Sequence, residues 1–371
     1  MVTQIQIPTD WVLRRVGEIA PLQRGFDLPA KQIAKGEYPV VYSNGVLNFH
    51  NKYQAKGPGV ITGRSGTIGR VTYIEDNYWP HNTTLWVTDF KDNDPKFIYY
   101  LYSFLGLEKY STGSGVPTLN RNDVHAIEAL IPKNRTEQSA MAQVLSDTDA
   151  LVESLNRLVE KKKNIKLGAM QEFLTGKKRL PGFTGAWLVS TLMEITYSLD
   201  NLRVPLNESQ RLTMKGDYPY CGANGILDYI NKFAIDDDII LMAEDGGYFD
   251  EYSYRPIAYR MKGKCWVNNH AHILKAKANF SQDFIFYALV HKNILQYLTN
   301  GTRSKLNKSE MNKIEIQLPL PKEEQIAIAQ VLYDMDLEIE ALEQKRDKYK
   351  QLKVGMMQQL LTGRIRLKCK N

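Results

Sequence analysis

Four loops in the first third of the chain carry residue types that bind nucleic acid. Arginine donates paired hydrogen bonds to guanine, asparagine pairs with the adenine edge, and glycine or serine lets backbone amides approach a phosphate. The candidates are Asn44 and Gly45 in YSNG, Arg64, Ser65 and Arg70 in GRSGTIGR, His81 and Asn82 in WPHN, and Asn120 and Arg121 after a glycine-rich loop. The alternative is structural, because asparagine also shapes turns and caps helices, and Asn120 fits a helix cap best.

A second set of such residues lies in later segments that repeat the first. It comprises Asn224, Gly225, Asn269, His270, Arg303, Lys305, Asn307 and Lys308. Where the first stretch has GRSG, the second has Glu244 and Asp245 followed by two glycines. A carboxylate accepts a hydrogen bond from cytosine N4, whereas arginine donates to guanine, so we expect the two stretches to contact different bases. The alternative for the acidic pair is a solvated turn.

Other chemistries lack the residue patterns that they need. The sequence has no NPPY-like or DPPF-like loop of an adenine methyltransferase, no GxxxxGK[ST] phosphate loop and no PD…ExK-like nuclease array. GRSGTIG lacks the spacing and the acidic residue of a dinucleotide site. Cys221, Cys265 and Cys369 lie far apart, and Cys265 with His270 and His272 resembles metal-ligand spacing only loosely. We therefore expect a non-catalytic chain without cofactor or metal.

Two copies of one long segment must position these loops. Residues 137–180 and 324–367 align without a gap and are identical at 22 of 44 positions. Both copies are rich in helix-forming residues, contain no proline and end near a Thr-Gly pair, which predicts one long helix each. Apolar residues at steps of three and four form a narrow seam, so each helix needs a partner, and the other copy is the simplest one. The seam comprises Leu145, Thr148, Val152, Leu155 and Val159, and Leu332, Met335, Ile339 and Leu342.

The segments between the helices also repeat, at lower similarity. GEYPVVYSNGVLNFHNKY at 36–53 returns as GDYPYCGANGILDYINKF at 216–233, and LNRNDVHAIEALIP at 119–132 returns as LNKSEMNKIEIQLP at 306–319. Short β-rich runs, turn residues and a few short helical stretches predict an α+β domain in each case. The helices keep half of their residues, whereas the domains keep little beyond these framework segments. This contrast indicates one task performed twice by the helices and two different tasks for the domains.

The predicted fold class is therefore α+β, with two such domains separated by two long antiparallel helices in a pseudo-two-fold circular arrangement. The predicted order along the chain is a first domain at 1–134, a first long helix at 135–180, a second domain at 181–321, and a second long helix with a C-terminal tail at 322–371.

Composition is that of a globular protein with a mild basic surplus. The 371 residues are 43% hydrophobic, with a formal net charge of +7. The charge permits an acidic partner such as nucleic acid without demanding one. The chain has no run of 18 apolar residues, and its start, MVTQIQIPTDW, lacks the pattern of a signal peptide. We therefore expect a cytoplasmic protein without membrane contact.

This combination resembles the DNA-specificity subunit of type I restriction-modification systems. The resemblance covers nearly the whole chain and rests on the duplicated segment that begins EQ and ends LTG, the LN…I..I.LP lead-in, and the DW or AW start of each domain. It implies two target recognition domains, each reading one half of a split double-stranded DNA site. It also implies helices that set the distance between the half-sites and dock two methyltransferase subunits, and in some systems restriction subunits.

Two other functions stay open at this point. An assembly scaffold would use the helices but would not read DNA, so its duplex binding would be absent or insensitive to salt. A self-contained DNA-modifying enzyme would need a catalytic array that the sequence does not show. Methylation or cleavage by the purified chain alone would reveal such an enzyme.

Overall fold

The computed structural model describes residues 8–113, 115–299 and 304–367. The chain divides into two units, of which unit 1 comprises Met1–Arg157 and Glu343–Asn371, and unit 2 comprises Leu158–Leu342. Each long helix therefore contributes one part to unit 1 and the other part to unit 2. Arg303 and Cys369, which the sequence analysis singled out, lie outside the described residues.

Unit 1 is a mixed α+β unit built mostly from antiparallel strands. Its strands are β1 (Trp11–Arg15), β2 (Leu22–Arg24), β3 (Tyr38–Tyr42), β4 (Gly45–His50), β5 (Gly59–Gly63), β6 (Val71–Ile74), β7 (Trp79–Pro80), β8 (Thr84–Val87), β9 (Ser111–Thr112), β10 (Thr118–Leu119) and β11 (Glu128–Pro132). Its helices are α1 (Val16–Ile19), α2 (Pro95–Phe104), α3 (Arg121–His125) and the first part of α4 (Arg135–Phe173). The strands pair in the orders β2-β8-β5-β6, β4-β3-β7, β1-β11 and β9-β10.

The core of unit 1 forms where α2 packs on the four-stranded sheet. Helix α2 begins at Pro95, where Asp94 accepts a hydrogen bond from the Phe97 backbone at 2.9 Å and proline suits the first turn. Phe97 and Leu101 on this helix are buried together with Val60 of β5. Burial of these apolar side chains holds β5 in place, and the candidate loop at residues 64–70 starts where β5 ends.

Unit 2 follows the same plan, with one six-stranded sheet and a separate pair of strands. Its strands are β12 (Trp187–Thr191), β13 (Thr196–Ser198), β14 (Lys215–Gly222), β15 (Gly225–Ile230), β16 (Ile235–Ala243), β17 (Ala258–Val267), β18 (Ala271–Ala276) and β19 (Glu315–Pro319). Its helices are α5 (Leu192–Ile195), α6 (Glu208–Thr213), α7 (Gln282–Val290), α8 (Lys308–Met311) and the first part of α9 (Lys322–Leu360). Six strands pair in the order β13-β18-β16-β17-β14-β15, and β12 pairs with β19.

The strand register shows that the two units repeat one design. Trp11 pairs with Pro132 in unit 1, and Trp187 pairs with Pro319 in unit 2. A short parallel pairing also recurs, of β3 with β7 and of β14 with β17. These features confirm the α+β fold class and the duplicated plan.

Within each unit the two long helices run antiparallel. In unit 1, Asp149 of α4 bonds to Lys353 of α9 at 2.6 Å. In unit 2, Lys166 of α4 bonds to Asp336 of α9 at 2.5 Å, while Lys162 bonds to Glu338. The predicted seam positions are buried or half-buried. Helix α4 ends at Phe173, before the Thr-Gly pair that was expected to stop it, and Gly176 adopts a φ of +69° in the turn that follows.

The start of each long helix is tied to the end of the other by an arginine. In unit 2, Arg179 donates to both carboxylate oxygens of Glu324 at 2.6 and 2.7 Å. In unit 1, Arg366 makes the same paired contact with Glu137 and also bonds to Asp10 at 2.9 Å. The repeated EQ and LTG…R motifs therefore form an internal clamp in each unit.

The glutamine of each EQ pair serves the same unit. Gln138 donates to the Pro132 carbonyl at 2.9 Å and accepts from the Asp94 backbone at 2.8 Å. Gln325 donates to the Pro319 carbonyl at 2.8 Å and accepts from the Ser281 backbone at 2.9 Å. Each glutamine thus joins the start of a long helix to a strand end and to the residue that caps the N-terminus of α2 or α7.

Candidate nucleic-acid interface

Several candidate loops of unit 1 lie against one another at the ends of strands. The backbone amides of Arg64 and Ser65 donate to the Thr83 carbonyl at 2.8 and 3.1 Å. The Leu119 amide donates to the Arg64 carbonyl at 2.8 Å, and Ser65 bridges to Thr118. We call residues 43–45, 64–70, 81–83 and 117–121 the unit 1 loop cluster. The structure thus brings most of the sequence-predicted residues of this unit into one region.

Arg70 and the YSNG turn form one contact within this cluster. The Arg70 guanidinium donates to the Asn44 carbonyl at 2.5 Å, and both residues are exposed. Gly45 has a φ of +113°, and a Cβ there would lie 3.2 Å from Arg70 Nη2. Glycine is therefore required by the turn, and it leaves room for the arginine.

His81 and Asn82 are engaged by protein groups, whereas Arg64 is not. The His81 ring lies 4.3 Å from the Tyr42 ring and shares a hydrogen bond of 3.1 Å with the Thr83 hydroxyl. Burial lowers the pKa of His81, which favours the neutral imidazole. Asn82 donates to Asp27. No residue in the described ranges bonds to the half-buried Arg64 side chain, so its guanidinium is available to a ligand.

Asn120 and Arg121 lie where α3 begins. The Asn120 side chain accepts from the Asn122 backbone at 2.9 Å and so caps this helix, as the structural alternative expected. Arg121 is the first residue of the helix and is exposed. Arg121 is therefore the better placed of the two for contact with a partner.

Unit 2 repeats the backbone frame of the unit 1 cluster with different side chains. The Glu244 amide donates to the His270 carbonyl at 2.9 Å, and the Leu306 amide donates to the Glu244 carbonyl at 2.7 Å. Asp245 bridges to Lys305. The corresponding bonds of unit 1 show which residues are equivalent in the two units. The equivalent residues are Arg64 and Glu244, Ser65 and Asp245, Thr83 and His270, and Thr118 and Lys305. We call residues 223–225, 244–247, 268–270 and 304–308 the unit 2 loop cluster.

Glu244 is the centre of a charged network. Its carboxylate contacts the Arg203 guanidinium, and it bonds to the Lys305 ammonium at 2.9 Å. Its side chain is only 12% exposed. Burial raises the pKa of Glu244, but the hydrogen bonds from Arg203 and Lys305 outweigh burial and hold the pKa below its ordinary value. Glu244 is therefore ionised and occupied by two cations.

A buried histidine, His272, contacts the carboxylates of this network. His272 is fully buried, bonding to Asp200 at 2.7 Å and to the Leu306 carbonyl at 2.8 Å. Burial raises the pKa of Asp200, but the His272 contact and the Ile273 amide reverse that effect and leave it lowered. Arg203 also contacts Asp200, at 3.6 Å. These groups fix the place of the loop that carries Glu244.

The other unit 2 candidates divide into bound and free side chains. Asn224 donates to the Gly246 carbonyl at 2.8 Å beside Gly225, whose φ is +129°. His270 shares a bond of 2.7 Å with Asp245. The candidates without a side-chain bond in the described part of the chain are Asn269, Asn307 and Lys308. Asn307 precedes α8 but does not cap it, in contrast to Asn120.

Sequence reasoning missed Asp200 and Arg203 of this network and considered His272 only as a loose match to metal-ligand spacing. Asp200, Arg203 and His272 support Glu244, yet they stand far from it along the chain, and no local pattern marks them. Thr118 was also missed. The alignment of the two repeats matches Thr118 with the candidate Lys305, so the sequence could have identified it.

The described residues offer no metal site and no membrane span. They contain no group of three His, Cys, Asp or Glu side chains that could hold a metal ion. Cys265 and Cys221 are both buried in one apolar cluster, while His270 and His272 bond to carboxylates. None of the helices in the described ranges is long and apolar enough to cross a membrane.

The fold and the loops define a class of protein. Two units share one backbone design, each gathers polar loops at strand ends, and two long helices run through both. This is the organisation of a duplicated nucleic-acid recognition protein. The family model described as type I restriction modification DNA specificity domain matches residues 8–166 and 185–351. The chain belongs to this family, whose members are non-catalytic specificity subunits.

Individual relatives agree with this assignment. A type I restriction enzyme specificity subunit assigned in Haemophilus influenzae is 32% identical over 157 residues, which span 42% of this chain and 38% of that protein. The MjaVIII specificity subunit of Methanocaldococcus jannaschii is 25% identical over 71% of this chain and 68% of its own length. The crystal structure of an S subunit from M. genitalium covers 97% of this chain and 98% of that chain with a TM-score of 0.69. At 17% sequence identity, this likeness shows the fold alone.

Proposed function

We propose that this chain is the DNA-specificity subunit of a type I restriction-modification complex and reads a bipartite site, one half with each loop cluster. The methyltransferase and restriction activities belong to partner subunits. In this proposal unit 1 contacts DNA through Arg64, Arg70 and Arg121. Unit 2 contacts DNA through Asn269, Lys305 and Lys308. The glycines, and the candidates whose side chains bond to other groups of the protein, shape the loops that present these side chains.

One observation carries the proposal. The two loop clusters share two backbone hydrogen bonds and one β-bridge at equivalent places, but the side chains on this frame differ in charge and in hydrogen-bonding type. A constant frame with exchanged side chains is what reading two different sequences requires, because donors and acceptors on base edges determine which base is accepted. A scaffold without DNA readout gives no reason for this difference.

The experiment is to map methylated bases in cells that carry or lack the gene, alongside its partner genes. We expect a split motif to be methylated only when the gene is present. If the same sites are methylated without the gene, this chain does not provide specificity. Loss of duplex affinity as salt rises separates DNA reading from a scaffold role, because phosphate contacts release counterions.

We propose that two methyltransferase subunits dock on the long helices, because the segments that form these helices are near-copies of each other. Exposed apolar residues recur every seven positions along α4, at Leu151, Leu158 and Ile165. A stripe with this spacing fits a partner helix. Each helix also runs through both units, so we propose that the helices set the distance between half-sites.

Stoichiometry tests this part of the proposal. Native mass spectrometry of the complex, with methyltransferase in excess, should give one specificity chain with two methyltransferase subunits. Leu158→Asp should weaken that assembly while leaving duplex binding by the chain intact. A saturated complex that holds a single methyltransferase would contradict the two-copy arrangement.

A further inference from the structure

Glu244 and Arg64 occupy the same place in the two loop clusters, but their side chains are used in opposite ways. The Arg64 guanidinium has no partner within the described residues, whereas the Glu244 carboxylate is held by Arg203 and Lys305. One oxygen of Glu244 faces Arg203 and the other faces Lys305. The carboxylate therefore points into the protein network, and the charge nearest to solvent is that of Lys305, whose side chain is 44% exposed.

Glu244 is poorly placed to read a base, because its carboxylate is nearly buried and each of its oxygens already accepts from a cation. A carboxylate must accept from an amino group to recognise cytosine. Here both oxygens of Glu244 are already bonded to cations, and only 12% of the side chain is exposed to solvent. Displacing either cation by a neutral amino group is unfavourable, because charge-assisted hydrogen bonds are the stronger ones, and the low exposure of the side chain leaves little access to its remaining lone pairs.

The backbone at Lys305 is held in place, which fixes the point from which its side chain extends. The Lys305 carbonyl accepts from the amide and the hydroxyl of Thr299 at 2.9 and 3.0 Å. The Lys305 backbone also bridges to Asp245. The ammonium has three donors and uses one of them on Glu244, which leaves two for an outside acceptor.

We propose that Glu244 is a positioning residue that holds Lys305 at the DNA-facing surface of unit 2, and that Lys305 makes the contact. The acceptor on DNA is an oxygen or ring nitrogen, because lysine only donates: a phosphate oxygen or the O6/N7 edge of guanine. This inference rests on the proposed function. It replaces the expectation that Glu244 itself selects cytosine.

A double-mutant cycle on duplex affinity tests the coupling. The full chain is compared as wild type, Glu244→Gln, Lys305→Met and the double variant, on a duplex that carries the motif methylated in cells with the gene. We expect Lys305→Met to weaken binding by about 5- to 150-fold, the range for one lost contact, and Glu244→Gln to weaken it less. In the Lys305→Met background, Glu244→Gln should cause no further loss, because Glu244 acts through Lys305.

The two kinds of acceptor give different results. A phosphate contact predicts that Lys305→Met lowers the slope of log affinity against log salt by about one and weakens all sequences alike. A guanine contact predicts relaxed selection at one base pair of the unit 2 half-site. Either result supports the assignment of Lys305.

Opposite results would overturn the proposal. Unchanged affinity in Lys305→Met does so alone and does not depend on the folding of any Glu244 variant. Additive losses in the cycle, or a changed base preference in Glu244→Gln with normal affinity in Lys305→Met, would make Glu244 a reader. If the wild-type chain shows no site-specific binding, the proposed function fails instead.

A matched ion pair provides the control. Asp237 and Lys275 form an ion pair near the other end of β16. Asp237 is seven residues from Glu244, which corresponds to about 23 Å along an extended strand. The variants Asp237→Asn and Lys275→Met remove equal charges from the same unit. Wild-type affinity and salt dependence in these variants are the expected result, and losses equal to those of Lys305→Met would show a general charge effect and defeat the proposal.

Discussion

Replacing Arg179 by alanine is expected to destabilise unit 2 by about 3–5 kcal/mol. Arg179 donates to both oxygens of Glu324, and the Glu324 side chain is 0% exposed. Removing the guanidinium leaves a buried carboxylate without its cation, which is the costly way to break a buried ion pair. The same replacement removes the Arg179 bond to the Gly185 carbonyl at 2.9 Å, which adds to the loss.

Hydrogen exchange can locate this loss. The clamp adjoins the pair of strands β12 and β19, so peptides covering Trp187–Thr191 and Glu315–Pro319 should exchange faster. A loss of 3–5 kcal/mol corresponds to roughly two to nearly four orders of magnitude in an opening equilibrium. Strands β1 and β11 of unit 1 should keep their protection. Adding Glu324→Leu to the variant should restore part of the stability, because the unpaired charge is then gone.

The neighbouring residue provides the control. Lys178 forms an exposed ion pair with Glu172 at 3.8 Å, with side chains 64% and 55% exposed. Exposed pairs contribute about 0–1 kcal/mol, so Lys178→Ala should change little. If Arg179→Ala cost no more than Lys178→Ala, or if β1 and β11 loosened equally, the clamp would not be the element that holds unit 2 together.

The reading function leads to three further expectations. Arg64→Gln should weaken or relax only the half-site read by unit 1, and sequencing of methylated sites that shows both halves altered would contradict this. Exchanging residues 181–321 for the corresponding domain of a relative should change one half of the methylated motif. A change in both halves would contradict the proposal that each unit reads one half-site. The third change inserts four residues after Arg157 in α4 and four after Leu342 in α9, which adds about 6 Å to each helix. The stretch of DNA between the two half-sites should then lengthen by about one to two base pairs. Altered half-sites at the original spacing would show that the helices do not set the distance between them.

The helices could be predicted from the sequence because their signals are local. Each copy contains helix-forming residues, an apolar seam at steps of three and four, and a Thr-Gly pair. Because the segment is repeated, each of these signals occurs twice in the chain. The division of each helix between two units could not be predicted. It depends on tertiary contacts such as that of Tyr100 with Asp149 at 2.9 Å, and of Tyr287 with Asp336 at 2.8 Å.

The sheets show where a repeat misleads. Strand β17 is ten residues long and pairs with both β16 and β14, which joins unit 2 into one six-stranded sheet. In unit 1 the corresponding stretch is broken between Ile74 and Trp79, so β6 and β7 belong to separate sheets. The partner strand gives a physical reason: β5 begins only at Gly59, after Pro58, which has no amide hydrogen to donate to a longer ladder, whereas β16 pairs with β17 from Ile235 onward.

The loops were found from the sequence, but the partners of their side chains were not. Glycine and asparagine mark turns through local backbone preference, so YSNG and GRSG were visible. The bond of Asn82 to Asp27 spans 55 residues, and that of Glu244 to Arg203 spans 41. Such pairs exist only once the strands are aligned, and therefore the prediction that Glu244 selects cytosine followed from its chemistry alone.

The duplication separates the residues that hold each unit together from those that we propose contact DNA. Arg179 and Arg366 keep their glutamates, and the glutamine of each EQ pair keeps its strand end. On the loops, by contrast, the backbone bonds persist while Arg64 is replaced by Glu244. A change of side chain on such a frame leaves the clamp and the sheet untouched, because none of their bonds involves it. Under the proposed function, recognition can therefore diverge between the units while the clamps and sheets are kept, so that each half-site changes independently of the other.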